Sequence, residues 1–216
     1  MQVGVGLATE LLDGCDHAGI TLVRSGKFSA GPATDDLVAH GDRLQAELGE
    51  GPCLDAIRQG RTVYTPNLAS DPRWPTWGAQ IHAELGVGSL LSMLLYTDER
   101  SYGALNMYSN RTDGFTQDDL VIADALATHL AMALADAEEI ENRGVAMVNR
   151  TVIGQAEGIL MERLGVQDDQ AFAYLRRISQ DTNRKLLDVA RELVLTRELP
   201  SGAPRAESTA AKAVSA

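Results

Sequence analysis

The sequence predicts an α+β protein in three parts: an antiparallel sheet flanked by helices, a long connecting helix, and a compact three-helix bundle. Helical and β-branched segments alternate up to Tyr108, a regular apolar spacing runs from Phe115 to Glu141, and the pattern after Gly144 is helical throughout. The chain has 216 residues, enough for one domain or two small ones. These three observations carry the fold prediction.

The first part contains eight segments, each with a helix or strand pattern. Glycines mark several ends: Gly14 and Gly49 each follow a predicted helix, and Pro52 suits the first turn of the next one. The predicted helices are Val3–Leu12, Leu37–Leu48, Cys53–Gln59 and Gln80–Leu85, and the predicted strands are His17–Arg24, Thr62–Thr65, Ser89–Tyr96 and Tyr102–Tyr108. This order favours an antiparallel sheet with helices on its faces.

The long helix carries an apolar seam. Five residues follow one another at alternating spacings of four and three, which is the pattern of a coiled coil: Leu126, Leu130, Ala133, Ala137 and Ile140. We therefore predict a homodimer formed along this helix. The alternative for its first half is an ordinary amphipathic helix lying on the sheet of its own chain.

The last part reads as a bundle of three helices. The first helix runs from Met147 to Leu164, Asp168 or Asp169 caps the second, and the third follows Asn183. The apolar stripe of the second helix comprises Ala171, Phe172, Leu175, Ile178 and Ser179. The predicted domains are thus residues 1–142 and 143–200, followed by a disordered tail at 201–216.

Charge and composition exclude several classes of protein. The net charge is −11, but residues 1–142 carry 8 Lys/Arg and 21 Asp/Glu whereas residues 143–200 carry 9 and 8, so only the last part is free to meet nucleic acid. Four scattered histidines show neither metal-ligand spacing nor a catalytic pattern, so we expect no metal and no enzyme activity. Without a long apolar run or a signal peptide, and with two cysteines, the chain is expected in the reducing cytoplasm, away from membranes.

Three residues of the first part are candidates for a ligand pocket. Cys53 follows Gly51-Pro52 at a predicted helix N-terminus, where a thiolate is favoured, although a buried small apolar residue is the simpler interpretation. Trp74 and Trp77 either line a pocket or pack against the sheet. An unidentified small molecule is the expected ligand, and no cofactor is predicted.

Cations of the last part are candidates for binding RNA. Arg176 and Arg177 lie outside the apolar stripe of the second helix. Arg184 and Lys185 are predicted in the first turn of the third helix, after a cap at Asn183, where each cation opposes the helix dipole by about 0.3–1 kcal/mol. A bound phosphate would explain such a placement, although a solvated charged turn is the simpler alternative. Tyr174 could stack on a base or belong to the core.

The last part resembles the ANTAR domain, a three-helix RNA-binding module of bacterial transcription antiterminators. Glu157 departs from the lysine that the family commonly has there. The residues that match are Ile153, Ala156, Gly158, Leu160, Met161, Gly165, Ala171, Phe172, Leu175, Ser179, Asn183, Leu186, Val189 and Ala190. The resemblance implies binding to hairpin loops of nascent mRNA.

The first part resembles a GAF sensor domain of the type fused in front of ANTAR in actinobacteria. The stretches that carry this resemblance are 47–57 (ELGEGPCLDAI), 71–74 (DPRW) and 102–109 (YGALNMYS). Together the two resemblances imply a signal-responsive, dimeric antitermination regulator. The alternatives are a sensor that uses ANTAR as a protein-docking or dimerisation module, and a GAF-associated enzyme such as a sulfoxide reductase that uses Cys53.

Overall fold

A computed structural model of the chain describes residues 2–24, 26–98 and 100–199, so the predicted tail at 201–216 lies outside the described residues. The chain divides into two compact units, Met1–Glu139 and Ile140–Ala216. In chain order the elements are α1 (Gln2–Leu11), β1 (His17–Arg24), β2 (Lys27–Ala33), α2 (Asp36–Leu48), α3 (Pro52–Gln59), β3 (Val63–Thr65), a 3₁₀ turn (Leu68–Ser70), α4 (Pro75–Leu85), β4 (Ser89–Tyr96), β5 (Ser101–Ser109), α5 (Gln117–Leu164), α6 (Asp168–Asp181) and α7 (Leu186–Thr196).

The first unit is built on an antiparallel sheet with the strand order β2-β1-β5-β4-β3. The two strongest predicted strands pair with each other, with Leu91 opposite Met107 and Met93 opposite Leu105. These four side chains lie in the core on one face, whereas Leu90 and Tyr108 lie in the core on the other. Helices cover both faces, which explains why the central strands are apolar at almost every position.

One face of the sheet is covered by α1 and the first part of α5. Leu126 and Leu130 are buried in this core, with 9% and 6% of their surface exposed. The predicted seam between two chains is therefore wrong for Leu126 and Leu130. Both pack on the sheet of their own chain, which was the alternative given for the first half of this helix. Thr116 begins the helix as predicted: its backbone N–H donates to Asp119, whose N–H donates back to the Thr116 hydroxyl.

Two elements of the first unit differ from the prediction. Strand β2 was not predicted, since its sequence KFSAGPA contains glycine and proline, but it lies at the edge of the sheet, where a proline costs no ladder hydrogen bond. Helix α4 begins at Pro75 and is therefore longer than the predicted 80–85 segment. Backbone N–H groups of Thr76 and Trp77 donate to the Glu50 carboxylate, which satisfies the first turn of this helix.

The long helix does not end at Glu141. Helix α5 continues through Gly144 to Leu164 and absorbs the helix predicted from Met147. A Cβ at Gly144 would meet no atom within 4 Å, so this glycine makes no close contact that would interrupt the helix. In the second unit, the C-terminal part of α5 packs with α6 and α7 in one core that contains Ala156, Leu160 and Leu175.

The helix caps and the burial pattern of the second unit correct three predictions. Gln167 caps α6 through a reciprocal pair with Gln170, in place of Asp168 or Asp169. Phe172 is not part of the buried stripe, because 40% of its surface is exposed. Helix α7 begins at Leu186 with Lys185 as its N-cap, so Asn183 does not cap it.

Candidate RNA-binding surface and sensor core

The sheet and α2 of the first unit surround the half-buried carboxylate of Asp42. Thr21 donates its hydroxyl to the carboxylate at 2.8 Å, and Tyr108 and Asn106 each donate to its other oxygen at 3.3 Å. Asn106 is itself held by the Ser92 hydroxyl at 2.7 Å. Burial raises the pKa of Asp42 to about 6, although these hydrogen bonds partly offset the effect. No cation of the described residues pairs with this carboxylate, so its charge is stabilised by neutral donors alone.

Cys53, Trp74 and Trp77, the predicted pocket residues, are packed in the core beside Asp42. Cys53 is 1% exposed, and burial followed by the Asp42 charge raises its pKa to about 12, so the thiol stays protonated. The Trp74 indole donates to Asp55 at 2.9 Å, and the Trp77 indole donates to the Gly41 carbonyl at 3.1 Å. The two rings meet edge to face. The structure therefore presents these residues as core, as the simpler alternatives had it.

The candidate RNA loop joins α6 to α7. The backbone N–H of Arg184 donates to the Ser179 carbonyl, and the Ser179 hydroxyl donates to the Arg184 carbonyl, so the loop is tied to the last turn of α6. Asn183 has a positive φ of 50°, a conformation that asparagine tolerates better than most residues. Asn183, Arg184 and Lys185 are all exposed. This geometry replaces the predicted helix cap with a left-handed turn.

The two cations of this loop, Arg184 and Lys185, lie close to the N-terminus of α7. Lys185 occupies the N-cap, and no side chain caps this helix, which leaves its first amides directed at solvent. Arg184 lies one residue earlier and forms an ion pair with Glu192 at 2.5 Å, so part of its charge is compensated within the chain. The predicted placement in the first helical turn is therefore wrong by one or two residues, but a positive charge still meets the positive end of the helix dipole.

Arg176 and Arg177 project from the exposed surface of α6. The guanidinium of Arg177 lies 5.4 Å from the centre of the Tyr174 ring, within the range of a cation–π contact. Tyr174 is half-buried and borders the bundle core, and burial raises its pKa. Tyr174 therefore contacts the bundle core and also the Arg177 guanidinium.

The remaining predicted dimer residues are exposed on α5. Ala133, Ala137 and Ile140 face solvent, and 70% of the Ile140 surface is accessible. Further along the same helix, Met147 and Val148 are exposed by 69% and 56%. Large apolar residues rarely follow one another on a solvated helix. This row is compatible with a helix partner.

The sequence reasoning overlooked Asp42, although a signal was present. The buried residues of α2 are Val38, Gly41, Leu44 and Gln45, and Asp42 lies on the same side of the helix, four residues after Val38 and three before Gln45. An acid on the apolar side of a helix indicates a buried polar cluster. Within the described residues, no group of three or more His, Cys, Asp or Glu is arranged to hold a metal ion.

Helix α5 also bears on the membrane prediction. It contains an 18-residue window with a mean hydropathy of 1.5, which is apolar enough to cross a membrane by length and composition alone. Core helices pass the same test, and the first part of α5 supplies Leu126 and Leu130 to the sheet core. The sequence reasoning underestimated the hydropathy of this segment.

The fold and these features define an α+β domain that is followed by a helical bundle. The GAF domain model matches residues 1–135 and the ANTAR domain model matches residues 144–194. The chain therefore belongs to the GAF domain family and carries an ANTAR domain after it, which is the architecture of a signal-sensing regulator of the ANTAR type. A search of the curated proteins found no match.

Several solved structures are similar to part of this chain. A domain described as part of a two-component sensor histidine kinase from Sinorhizobium meliloti 1021 covers 65% of this chain and 92% of its own, with 18% identity and a TM-score of 0.52. The GAF domain of a two-component sensor histidine kinase from Bacillus halodurans covers 65% and 97%, with 16% identity and a TM-score of 0.49. A type II free methionine-R-sulfoxide reductase from Thermoplasma acidophilum covers 61% and 86%, with 16% identity and a TM-score of 0.48. Identities this low indicate a common fold alone.

Proposed function

We propose that the protein is a cytoplasmic, homodimeric transcription antitermination regulator, whose GAF domain controls binding of the ANTAR domain to hairpin loops in nascent mRNA. The observation that carries this proposal is the ANTAR match over residues 144–194 together with an exposed basic loop in that segment. RNA loops are recognised through splayed bases and phosphates, which guanidinium groups and an asparagine amide suit well.

Binding would begin at the N-terminus of α7. Lys185 supplies a point charge there, and the uncapped amides of the helix can donate to a phosphate oxygen. Arg184 would exchange its partner Glu192 for phosphate, while Arg176 and Arg177 approach the RNA from α6. No bond is made or broken in this scheme, so the protein acts as a binding switch and not as an enzyme.

The signal would reach the ANTAR domain through α5. This helix contributes side chains to the sheet core and, beyond Ile140, to the bundle core. Ala133, Ala137 and Ile140 would pair with the same residues of a second chain. Two linked ANTAR domains would bind two hairpins with higher affinity than one, through effective concentration alone.

A protein-docking role is the second candidate, and the exposed apolar row on α5 favours it. Sequencing of RNA crosslinked to the protein in its host cells separates the two functions. We expect enrichment of hairpin loops that precede terminators, well above transcript abundance. Crosslinks that merely follow transcript abundance would contradict the antitermination role and favour docking to a protein.

A further inference from the structure

The second unit contains an open groove that lies apart from the loop described above. It has a volume of about 470 Å³ and is formed by the C-terminal turns of α5 together with the C-terminal end of α7. That is enough space for a single nucleotide, but not for a folded element. Both walls belong to the ANTAR domain.

The floor of this groove is apolar and partly uncovered. Ile159 on α5 and Val194 on α7 are only half-buried. Gly158, which also lines the groove, leaves the helix backbone open: a Cβ at that position would meet no atom within 4 Å. A flat ring can therefore approach closer here than on any helix surface that carries side chains.

Two arginines at the groove form no ion pair with a carboxylate of the described residues. Arg163 and Arg197 are exposed, and neither forms an ion pair within the described part of the chain. By contrast, Arg184 and Arg191 of the same domain each contact an acid. Free guanidinium groups beside an apolar floor complement a base with its flanking phosphates.

The backbone at Arg197 supports a role for its side chain. The residue ends α7 in a left-handed conformation with φ of 59°, where glycine is the favoured residue. An arginine in this position costs stability relative to glycine, and the residue is exposed. A ligand bound by the Arg197 guanidinium would offset this cost.

We propose that the groove holds one unstacked base of the RNA hairpin loop, with the base on the Ile159–Val194 floor and its two phosphates on Arg163 and Arg197. Glu162, which also lines the groove, accepts hydrogen bonds from the edge of the base. A carboxylate acceptor favours bases with an exocyclic amino group over uracil. This inference rests on the proposed RNA-binding function and adds a second contact surface to it.

The test begins by selecting RNA hairpins with a randomised loop on the full wild-type chain. Affinities for a selected hairpin are then measured for Gly158→Leu, which fills the groove, and for Gly154→Leu. The second variant is a matched control, since Gly154 also has open space around it and lies one turn earlier on α5 without lining the groove. Both variants replace a helical glycine with a better helix former, so neither is expected to unfold.

We expect Gly158→Leu to weaken binding on the order of ten-fold or more, and Gly154→Leu to leave it within about two-fold. Arg197→Gly should keep or raise the melting temperature and should reduce the slope of log affinity against log salt by about 0.7. Arg163→Ala should reduce the slope by the same amount. Arg150→Ala, an exposed arginine outside the groove, serves as the control. Glu162→Gln should weaken the preference against uracil.

Three results would overturn the inference. Equal affinities for the two leucine variants would remove the groove while leaving RNA binding by the loop intact. A change of sedimentation mass in Gly158→Leu alone would assign the groove to a second copy of the chain. Absence of any selected hairpin for the wild type would contradict the proposed function and the groove together.

Discussion

Asp42→Asn is expected to stabilise the GAF domain at neutral pH. The buried carboxylate has its pKa raised from 3.8 to about 6. Between these values the folded chain holds a proton that the unfolded chain has released, so the free energy of unfolding falls as the pH rises from about 4 to 6. A shift of about two units corresponds to about 3 kcal/mol lost above pH 6. Because Asp42 keeps some contact with solvent, which screens its charge, this is an upper value.

The geometry allows the amide to make as many hydrogen bonds to these three neighbours as the carboxylate does. The Asn oxygen can accept from Tyr108 and Asn106, as the Asp42 oxygen does. Its NH₂ group can donate to the Thr21 hydroxyl, which reverses that bond. The neighbouring Cys53 thiol has a pKa raised to about 12 and stays neutral over the range. The substitution therefore removes the charge of Asp42 and, as its one other change, the acceptor of the Thr21 hydroxyl hydrogen.

Urea unfolding at several pH values, followed by tryptophan fluorescence, measures this effect, because Trp74 and Trp77 are both buried in the core of this domain. We expect Asp42→Asn to exceed the wild type by up to about 3 kcal/mol at pH 7.5 and by less than about 1 kcal/mol at pH 4. Glu47→Gln, an exposed acid on the same helix, is the control and should show no such trend. A gain that does not change with pH, or no gain at pH 7.5, would refute the reasoning.

Three further predictions concern α5 and the loop. Arg184→Ala with Lys185→Ala should weaken RNA binding and lower the salt slope by about 0.7 for each lost contact, with little change in melting temperature; an unchanged slope in the titration would remove the loop from the interface. Ala133→Glu with Ala137→Glu should yield monomers in sedimentation, because like charges would face each other in the seam, whereas an intact dimer would place the interface elsewhere. Asn183→Ala should lower the free energy of unfolding by about 1 kcal/mol and Asn183→Gly should not, since only the left-handed backbone is at stake; equal losses in urea titrations would contradict this.

The fold was predictable wherever one local pattern dominates. Strands β4 and β5 read as strands because both faces of the sheet are buried, and Thr116 with Asp119 marks the start of α5 by itself. Strand β2 could not be predicted, because its exposed KFSAGPA segment is held by pairing with β1 and not by burial. The sequence predicts a break in α5 near Gly144, because glycine often marks a helix end, whereas the helix continues through this residue.

The candidate sites were harder to predict, since the decisive information is three-dimensional. The spacing of Leu126 and Leu130 fits a coiled coil and a sheet-packing helix equally well, and only the neighbouring sheet decides between them. The sequence around Asn183 satisfies the rule for a helix cap, but bonds between Ser179 and Arg184 turn the chain before the helix begins. Residues brought together from α5 and α7, such as Arg163 and Arg197, have no shared signal along the chain.

The measurement that tests the central claim most directly is the affinity of the full-length chain for a selected RNA hairpin as a function of salt, beside a fully paired duplex of the same composition. The account predicts that the hairpin binds more tightly and that log affinity falls linearly with log salt, with a slope of about 0.7 for each phosphate contact to the loop. Equal affinity for hairpin and duplex, or an affinity for the hairpin that does not change with salt, would contradict it.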